Sequence, residues 1–183
     1  MSGSPSDRGR AHGSACQALI HEGIGRLKQG IRDMLSVDAD AHIREYIART
    51  RFAEAIDRFM PGLLDEVRGI GEGAGVDYET ILAWQTTGDE FSWYNRDYRM
   101  GLLPAGACTS LGVFGQPGMP TLVAQNMDLP RLFEGLMVVQ HIREEETGAE
   151  AVVPTYAGGV ALNSQPPQHG DLLQHARAVG PST

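Results

Sequence analysis

Apolar residues recur at helical spacing through the first part of the chain. Between about residues 15 and 60, two sets of apolar positions three and four residues apart predict two amphipathic helices. The sets are Leu19, Ile20, Ile24, Leu27 and Ile31, and then Ile43, Tyr46, Ile47, Phe52, Ile56 and Phe59. Pro61 suits the first turn of a third helix, which the glycines at 69, 71, 73 and 75 would end. Asp77 suits the N-cap of a fourth helix. The first half of the chain therefore predicts only helices.

The pattern changes after residue 108 to short β-prone runs separated by turn residues. Residues 109–114 and 121–126 flank a segment rich in Gly and Pro, which is typical of a hairpin. A second pair of runs, residues 136–144 and 149–156, predicts another pair of antiparallel strands. The expected fold class is α+β.

The chain loses this pattern near its end. Residues 165–183 show neither a strand nor a strong amphipathic helix, and we treat them as an atypical tail. A sheet that has just begun normally needs further strands and a covering layer of helices. The sequence therefore predicts a fold that is cut short.

Composition limits the classes of function. With 183 residues, 42% of them hydrophobic, the chain can bury a core. Its net charge of −8 argues against nucleic acid or an anionic membrane as the main partner, because both require a basic surface. A polar N-terminus without a signal peptide, and no long apolar run, predict a cytoplasmic protein. No cluster with metal-ligand spacing is present, so we expect no metal.

Cys108 is the candidate nucleophile. It lies between small residues, in Gly106-Ala107-Cys108-Thr109-Ser110, at the start of a predicted strand, and we interpret it and Cys16 as free thiols. If the Ala107–Cys108 bond were cut, the new α-amino group, with a reference pKa near 8, could act as base to the thiol. The second strand ends in Gln125-Asn126-Met127-Asp128, so a hairpin could return a carboxylate to Cys108.

Four segments carry a resemblance to a known family. They are Ser4-Pro5-Ser6-Asp7-Arg8-Gly9-Arg10-Ala11-His12-Gly13, Glu66-Val67-Arg68-Gly69-Ile70-Gly71-Glu72-Gly73-Ala74-Gly75, Ala107-Cys108-Thr109-Ser110 and Gln125-Asn126-Met127-Asp128. In this order they resemble the peptidase C45 family of N-terminal nucleophile hydrolases. That family contains the acyl-coenzyme A:6-aminopenicillanic acid acyltransferases, also called isopenicillin-N N-acyltransferases. The resemblance covers roughly residues 4–164, about the first half of a usual member.

The resemblance implies a division of the chain and a set of roles. Residues 1–107 would be a helical pro-segment, and residues 108–164 would be the first strands of an αββα sandwich. Autoproteolysis between Ala107 and Cys108 would convert this zymogen into a hydrolase or acyltransferase acting on a carbon–nitrogen amide bond. Asp128 would orient the new α-amino group, and Gln125 and Asn126 would support the substrate pocket and oxyanion.

The same resemblance implies the partners. The cleaved pro-segment and catalytic segment would stay associated, and the substrate would be a small amide or acyl thioester. No metal or organic cofactor is implied, although a coenzyme A thioester is a possible acyl donor. Neither nucleic acid nor a membrane is an expected partner.

Each assignment has a structural alternative. A lone cysteine such as Cys108 is often a small buried hydrophobic residue, and Asp128 could be a turn or cap residue. Gln125 and Asn126 could satisfy backbone groups at a strand end. The chain could be a truncated, non-catalytic fragment or a helical interaction module of the same family, or a thiol hydrolase that never cleaves itself.

Overall fold

A computed structural model describes residues 1–87, 109–119, 122–126, 129–143 and 148–160. Within these residues the fold is α+β, with six α-helices followed by two antiparallel hairpins. The helices are α1 Pro5–Ala15, α2 Gln17–Leu35, α3 Ala39–Thr50, α4 Phe52–Phe59, α5 Leu63–Ala74 and α6 Tyr78–Gln85. The prediction that the first half is helical is confirmed for residues up to Gln85.

Side-chain caps define where several helices begin. Ser4 and Asp7 form a reciprocal capping box at the start of α1, where the Ser4 hydroxyl accepts from the Asp7 N–H. The predicted Asp77 cap is confirmed, because its carboxylate accepts from the Thr80 N–H at 2.9 Å. Asp38 caps α3 in the same way. Each cap satisfies an N–H that would lack a partner within the helix.

Two of the predicted helix boundaries are wrong. The second apolar set spans two helices, because Arg51 adopts a left-handed conformation, with φ at 53°, between α3 and α4. Pro61 lies before α5, which begins at Leu63 after Gly62 with φ at 87°. Neither break can be seen in the spacing of apolar residues, because that spacing continues across the turn.

The glycines of α1 and α5 let the two helices pack at backbone contact. A Cβ atom added at Gly9 would lie 2.1 Å from the Glu66 carbonyl oxygen, and one added at Gly69 would lie 2.4 Å from that of Ser6. Gly13 and Gly73 repeat this pattern four residues further along each helix. The prediction that Gly69, Gly71 and Gly73 end the helix is therefore wrong, and only Gly75, with φ at 70°, forms its C-cap.

The hydrophobic core lies among the helices and includes part of the second hairpin region. Its largest fully buried side chain is Trp84 on α6. Phe133 and Tyr156 pack around that indole, with ring centroids 5.3 and 5.4 Å away. The helical members include Ile20, Leu27, Ile31, Ile43, Tyr46, Val67, Ile70, Ile81 and Leu82, and the later ones are Phe133, Leu136 and Ala157.

Four strands form two separate two-stranded sheets in the described residues. β1 (Thr109–Val113) pairs with β2 (Leu122–Asn126), and β3 (Met137–Arg143) pairs with β4 (Glu150–Tyr156), both antiparallel. Both predicted strand pairs are confirmed. A short 3₁₀ helix, Arg131–Phe133, precedes β3 and carries Phe133 into the core.

Candidate functional site

The β1–β2 hairpin carries the residues next to the predicted nucleophile. Its turn is closed by paired backbone hydrogen bonds between Gln116 and Met119, of 3.1 and 2.8 Å. Pro117 and Gly118 occupy the two central positions, and Gly118 has φ at 86°. Proline followed by a residue with positive φ is the pattern of a type II turn. The turn sequence therefore sets the register of the strands.

The open end of this hairpin pairs Thr109 with Asn126. Both residues are exposed, and directly opposed residues of an antiparallel pair place their Cβ atoms about 4.5–5.5 Å apart on one face. Thr109 follows Cys108 in the chain, and Asn126 precedes Asp128 by two residues. The register therefore brings together the described neighbours of the predicted nucleophile and carboxylate.

The predicted site residues differ in how far the structure describes them. Asn126 is described in full, and Gln125 is described by its backbone, which lies in β2 opposite Ser110. Ala107, Cys108 and Asp128 lie outside the described residues. Their roles stay predictions.

Every β1–β2 side chain that the structure describes is exposed to solvent. Leu111 and Leu122 expose 61% and 56% of their surface, and Phe114, next to the turn, exposes 85%. Leu111 lies opposite Ala124, and Val113 lies opposite Leu122. Since paired residues share a face, these four side chains form one apolar face.

The segment after β4, by contrast, is fixed to α6 by side-chain hydrogen bonds. The indole N–H of Trp84 donates to the Ala157 carbonyl at 2.8 Å, and Gln85 Nε2 donates to the Gly158 carbonyl at 2.7 Å. The Gln85 Oε1 accepts from the Val160 N–H at 2.9 Å. These bonds tie the end of the second hairpin to α6.

A buried histidine ties the same segment to α1. The Gly158 N–H donates to His12 Nε2 at 2.8 Å, and the Gln140 side-chain amide contacts His12 Nδ1. Because Nε2 accepts a hydrogen bond from a backbone N–H, the ring is not doubly protonated in this arrangement. Burial lowers the pKa of His12 to about 4. The ring is therefore neutral at physiological pH and acts as an acceptor between segments that are 146 residues apart.

An ion pair one turn earlier on α1 joins the two glycine-packed helices. Arg8 contacts the Glu66 carboxylate at 3.0 Å, and both side chains are buried. Burial raises the pKa of Glu66, while the Arg8 charge and hydrogen bond act in the opposite direction. A buried pair of this kind is costly to break on one side, because the other charge stays in the protein interior. It holds α1 in register with α5.

Sequence reasoning identified the hairpins but missed the anchors of the second one. His12 lies in the first of the four segments that carry the family resemblance, and no local pattern marks Trp84 as a residue that anchors a strand. The available signal was the repeated Gly spacing in α1 and α5, which brings His12 to a buried position. Its acceptor role depends on Gly158, which no local pattern connects to α1.

The remaining chemistry of the described residues is limited. Cys16 is a free thiol at the junction of α1 and α2, and burial raises its pKa, which disfavours the reactive thiolate. Within the described residues, no group of three His, Cys, Asp or Glu side chains could hold a metal ion. In the same part of the chain, no helix is long and apolar enough to cross a membrane.

Comparison with known proteins gives no family for this chain. No protein-family model matches it, and no curated protein is significantly similar to it.

Proposed function

We propose that this chain is a self-processing N-terminal nucleophile amidohydrolase or acyltransferase, with Cys108 as its nucleophile and with an αββα sandwich beginning at that residue. The observation that carries the proposal is the pairing of Thr109 with Asn126 at the open end of β1–β2. Connectivity keeps the Cα of Cys108 about 3.8 Å from that of Thr109. It keeps the Cα of Asp128 within about 7 Å of that of Asn126. A thiol and a carboxylate can therefore meet at this end.

Maturation in this proposal is an internal acyl transfer. The Cys108 thiolate attacks the Ala107 carbonyl carbon, the Ala107–Cys108 amide bond breaks, and the acyl group moves from nitrogen to sulfur. Water then hydrolyses the thioester, which releases the Ala107 carboxylate and leaves Cys108 with a free thiol and a free α-amino group. Gly106 and Ala107 are small enough for the tight turn that this attack requires.

Catalysis then uses the new terminus. The α-amino group accepts the thiol proton, the thiolate attacks the substrate amide, and the leaving amine takes that proton as the acyl-enzyme forms. Water or a second amine displaces the acyl group. Asp128 orients the α-amino group, and Gln125 and Asn126 support the pocket and oxyanion. The substrate is a small amide or acyl thioester, such as a coenzyme A thioester.

Contacts across the proposed cut support lasting association of the two products. Trp84, Gln85 and His12 would belong to the pro-segment, and their partners Ala157, Gly158 and Val160 would belong to the catalytic segment. Phe133, Leu136 and Ala157 are buried in the core formed with the helices. Cleavage would therefore leave a noncovalent pair. A cytoplasmic location stays a prediction of the sequence.

Acyl-enzyme trapping tests the chemistry directly. We expect the purified chain to take up one acyl group on Cys108 from a simple aryl thioester, located by mass spectrometry of peptides. The Cys108→Ala variant should not be labelled. Cys16→Ala is the matched control, because it removes the other thiol of the chain and should leave labelling unchanged.

The alternative functions predict other results. Labelling of Cys108 in a chain that stays uncut would identify a thiol hydrolase without self-processing. Equal labelling of Cys16 and Cys108 would reflect ordinary thiol reactivity and would contradict the proposal. No labelling at either position would favour the non-catalytic fragment.

A further inference from the structure

The segment of residues 157–160, which follows β4, is held between two helices by side chains. On the α6 side, Trp84 and Gln85 form hydrogen bonds with its backbone groups. On the α1 side, the Gly158 N–H donates to His12 Nε2 at 2.8 Å. The first three residues of the segment are buried. His12 is therefore the side chain of α1 that holds this segment in place.

A second proton on the His12 ring would be unfavourable in this arrangement. Nε2 faces the Gly158 N–H, so a proton added there would place two donors against each other. At Nδ1 the ring contacts the neutral side-chain amide of Gln140. Only 4% of the His12 surface is exposed, so water does not hydrate the charge of an imidazolium. Protonation therefore requires that the bond to Gly158 break and that the ring reach solvent.

The charged groups of the elements that pack around this ring do not compensate a charge on it. Those of α1 and α5 are paired with each other, and those of β3 lie on its exposed face. They are Arg8 with Glu66, Arg10 with Glu72, and then His141 and Arg143. Cys16, one turn after His12, is a neutral thiol, because burial raises its pKa. The side chains of Trp84 and Gln85 carry no charge. Burial is accordingly what lowers the pKa of His12.

We propose that His12 is a pH-sensitive latch, whose protonation releases the 157–160 segment from α1. Gly158, with φ at 81°, and Gly159 give this segment the backbone freedom to move away. The regulatory consequence rests on the proposed function, in which His12 belongs to the pro-segment and Gly158 to the catalytic segment. Acidification would then loosen the contact between the two products of self-cleavage. The release itself does not require cleavage.

Hydrogen exchange of the Gly158 amide measures this release on the full chain. The pKa of His12 is about 4 while the segment is held and returns to its ordinary value of 6.5 on release, so protons favour the released form. We expect the protection factor of this amide to fall about tenfold between pH 7.5 and pH 5.5. It should not change in His12→Gln, whose side-chain oxygen still accepts from the Gly158 N–H. His141→Gln removes an exposed histidine of the same hairpin and should behave like the parent.

Equal protection of the Gly158 amide at the two pH values in the parent would overturn the inference, as would a fall of the same size in His12→Gln. If His12→Gln did not fold, NMR titration of the His12 ring in the parent would provide the test. Protonation of the ring must then coincide with the loss of Gly158 protection, and protonation without that loss would contradict the latch. Intact mass of the same samples tests the proposed function separately, because an uncut chain still contains both residues.

Discussion

The two hairpins of this chain share a topology but differ in what surrounds them. β3–β4 turns Gln140, Ile142 and Thr155 toward the protein interior, and its last residues continue into a buried segment. β1–β2 exposes every side chain that the structure describes. Both hairpins contain alternating β-prone residues, so strand propensity does not explain the difference.

The difference follows from polar anchors at specific positions. The second hairpin ends in Ala157 and Gly158, whose backbone groups pair with Trp84, Gln85 and His12. The bonds of Trp84 and His12 form between buried groups, and leaving one of those groups unpaired would cost about 1–3 kcal/mol. A hairpin packs against the helices when its backbone groups find hydrogen-bond partners there and its apolar face is buried at the same time. The hairpin beside Cys108 has its apolar face still exposed.

Removing the central anchor of the second hairpin should have the largest effect. Trp84→Ala would delete the buried ring that packs on Phe133 and Tyr156, together with the hydrogen bond to Ala157. We expect a loss of about 3–5 kcal/mol in the free energy of unfolding, measured by urea denaturation. Leu111→Ala, in the exposed hairpin, is the control and should change it by less than about 1 kcal/mol. Equal effects would contradict the contrast between the hairpins.

Acidification should weaken the docked hairpin through His12. Its pKa lies near 4 in the folded chain, against 6.5 in the unfolded chain, so between these values the unfolded state binds the proton first. Stability is therefore full above pH 6.5 and falls with pH until about pH 4, by up to about 3 kcal/mol. The change should be absent in His12→Gln, which still offers an acceptor to Gly158.

The difference between parent and variant isolates His12 from other groups that titrate in this range. Burial raises the pKa of Glu66, which acts in the opposite sense and stabilises the fold as the pH falls. Because Glu66 is present in both proteins, its contribution cancels. Parallel pH profiles for the parent and His12→Gln would refute the role of this histidine.

The glycine contact of α1 with α5 should be sensitive to a single methyl group. Gly9→Ala would place a Cβ 2.1 Å from a backbone oxygen of α5, so the helices must separate, at a cost of about 1–3 kcal/mol. Gly25→Ala, in α2, has no atom within 4 Å of the new Cβ and should stabilise the chain by about 0.5–1 kcal/mol. The midpoint temperature of thermal unfolding should therefore fall in Gly9→Ala and rise in Gly25→Ala. Midpoints that shift in the same direction would mean that α1 and α5 do not pack at backbone contact.

Local signals predicted the elements well where one residue controls the backbone. Asp77 starts α6 as expected, and Gly118 supplies the positive φ of the turn in β1–β2. The break at Arg51 was missed because neither Gly nor Pro marks it. Gly69 was interpreted as the end of a helix because its partner, the Ser6 carbonyl, lies far away in the sequence.

In the candidate site, too, the sequence predicts the features that depend on neighbouring residues and misses those that depend on distant contacts. The hairpin and the pairing of Thr109 with Asn126 follow from alternation and turn chemistry, which are local. The docking of Gly158 on His12 depends on contacts over 146 residues, and no pattern within either segment contains that information. The roles of Cys108 and Asp128 stay predictions, since they depend on residues that the structure does not describe.

The central claim is that Cys108 cuts the bond before it, and the intact mass of the purified chain tests it most directly. The account predicts two fragments that meet between Ala107 and Cys108, that elute together under native conditions, and that separate in denaturant. A Cys108→Ala chain should show one uncut mass, whereas Cys16→Ala should be cut like the parent. A single uncut mass for the parent, or cleavage that persists in Cys108→Ala, would contradict the account.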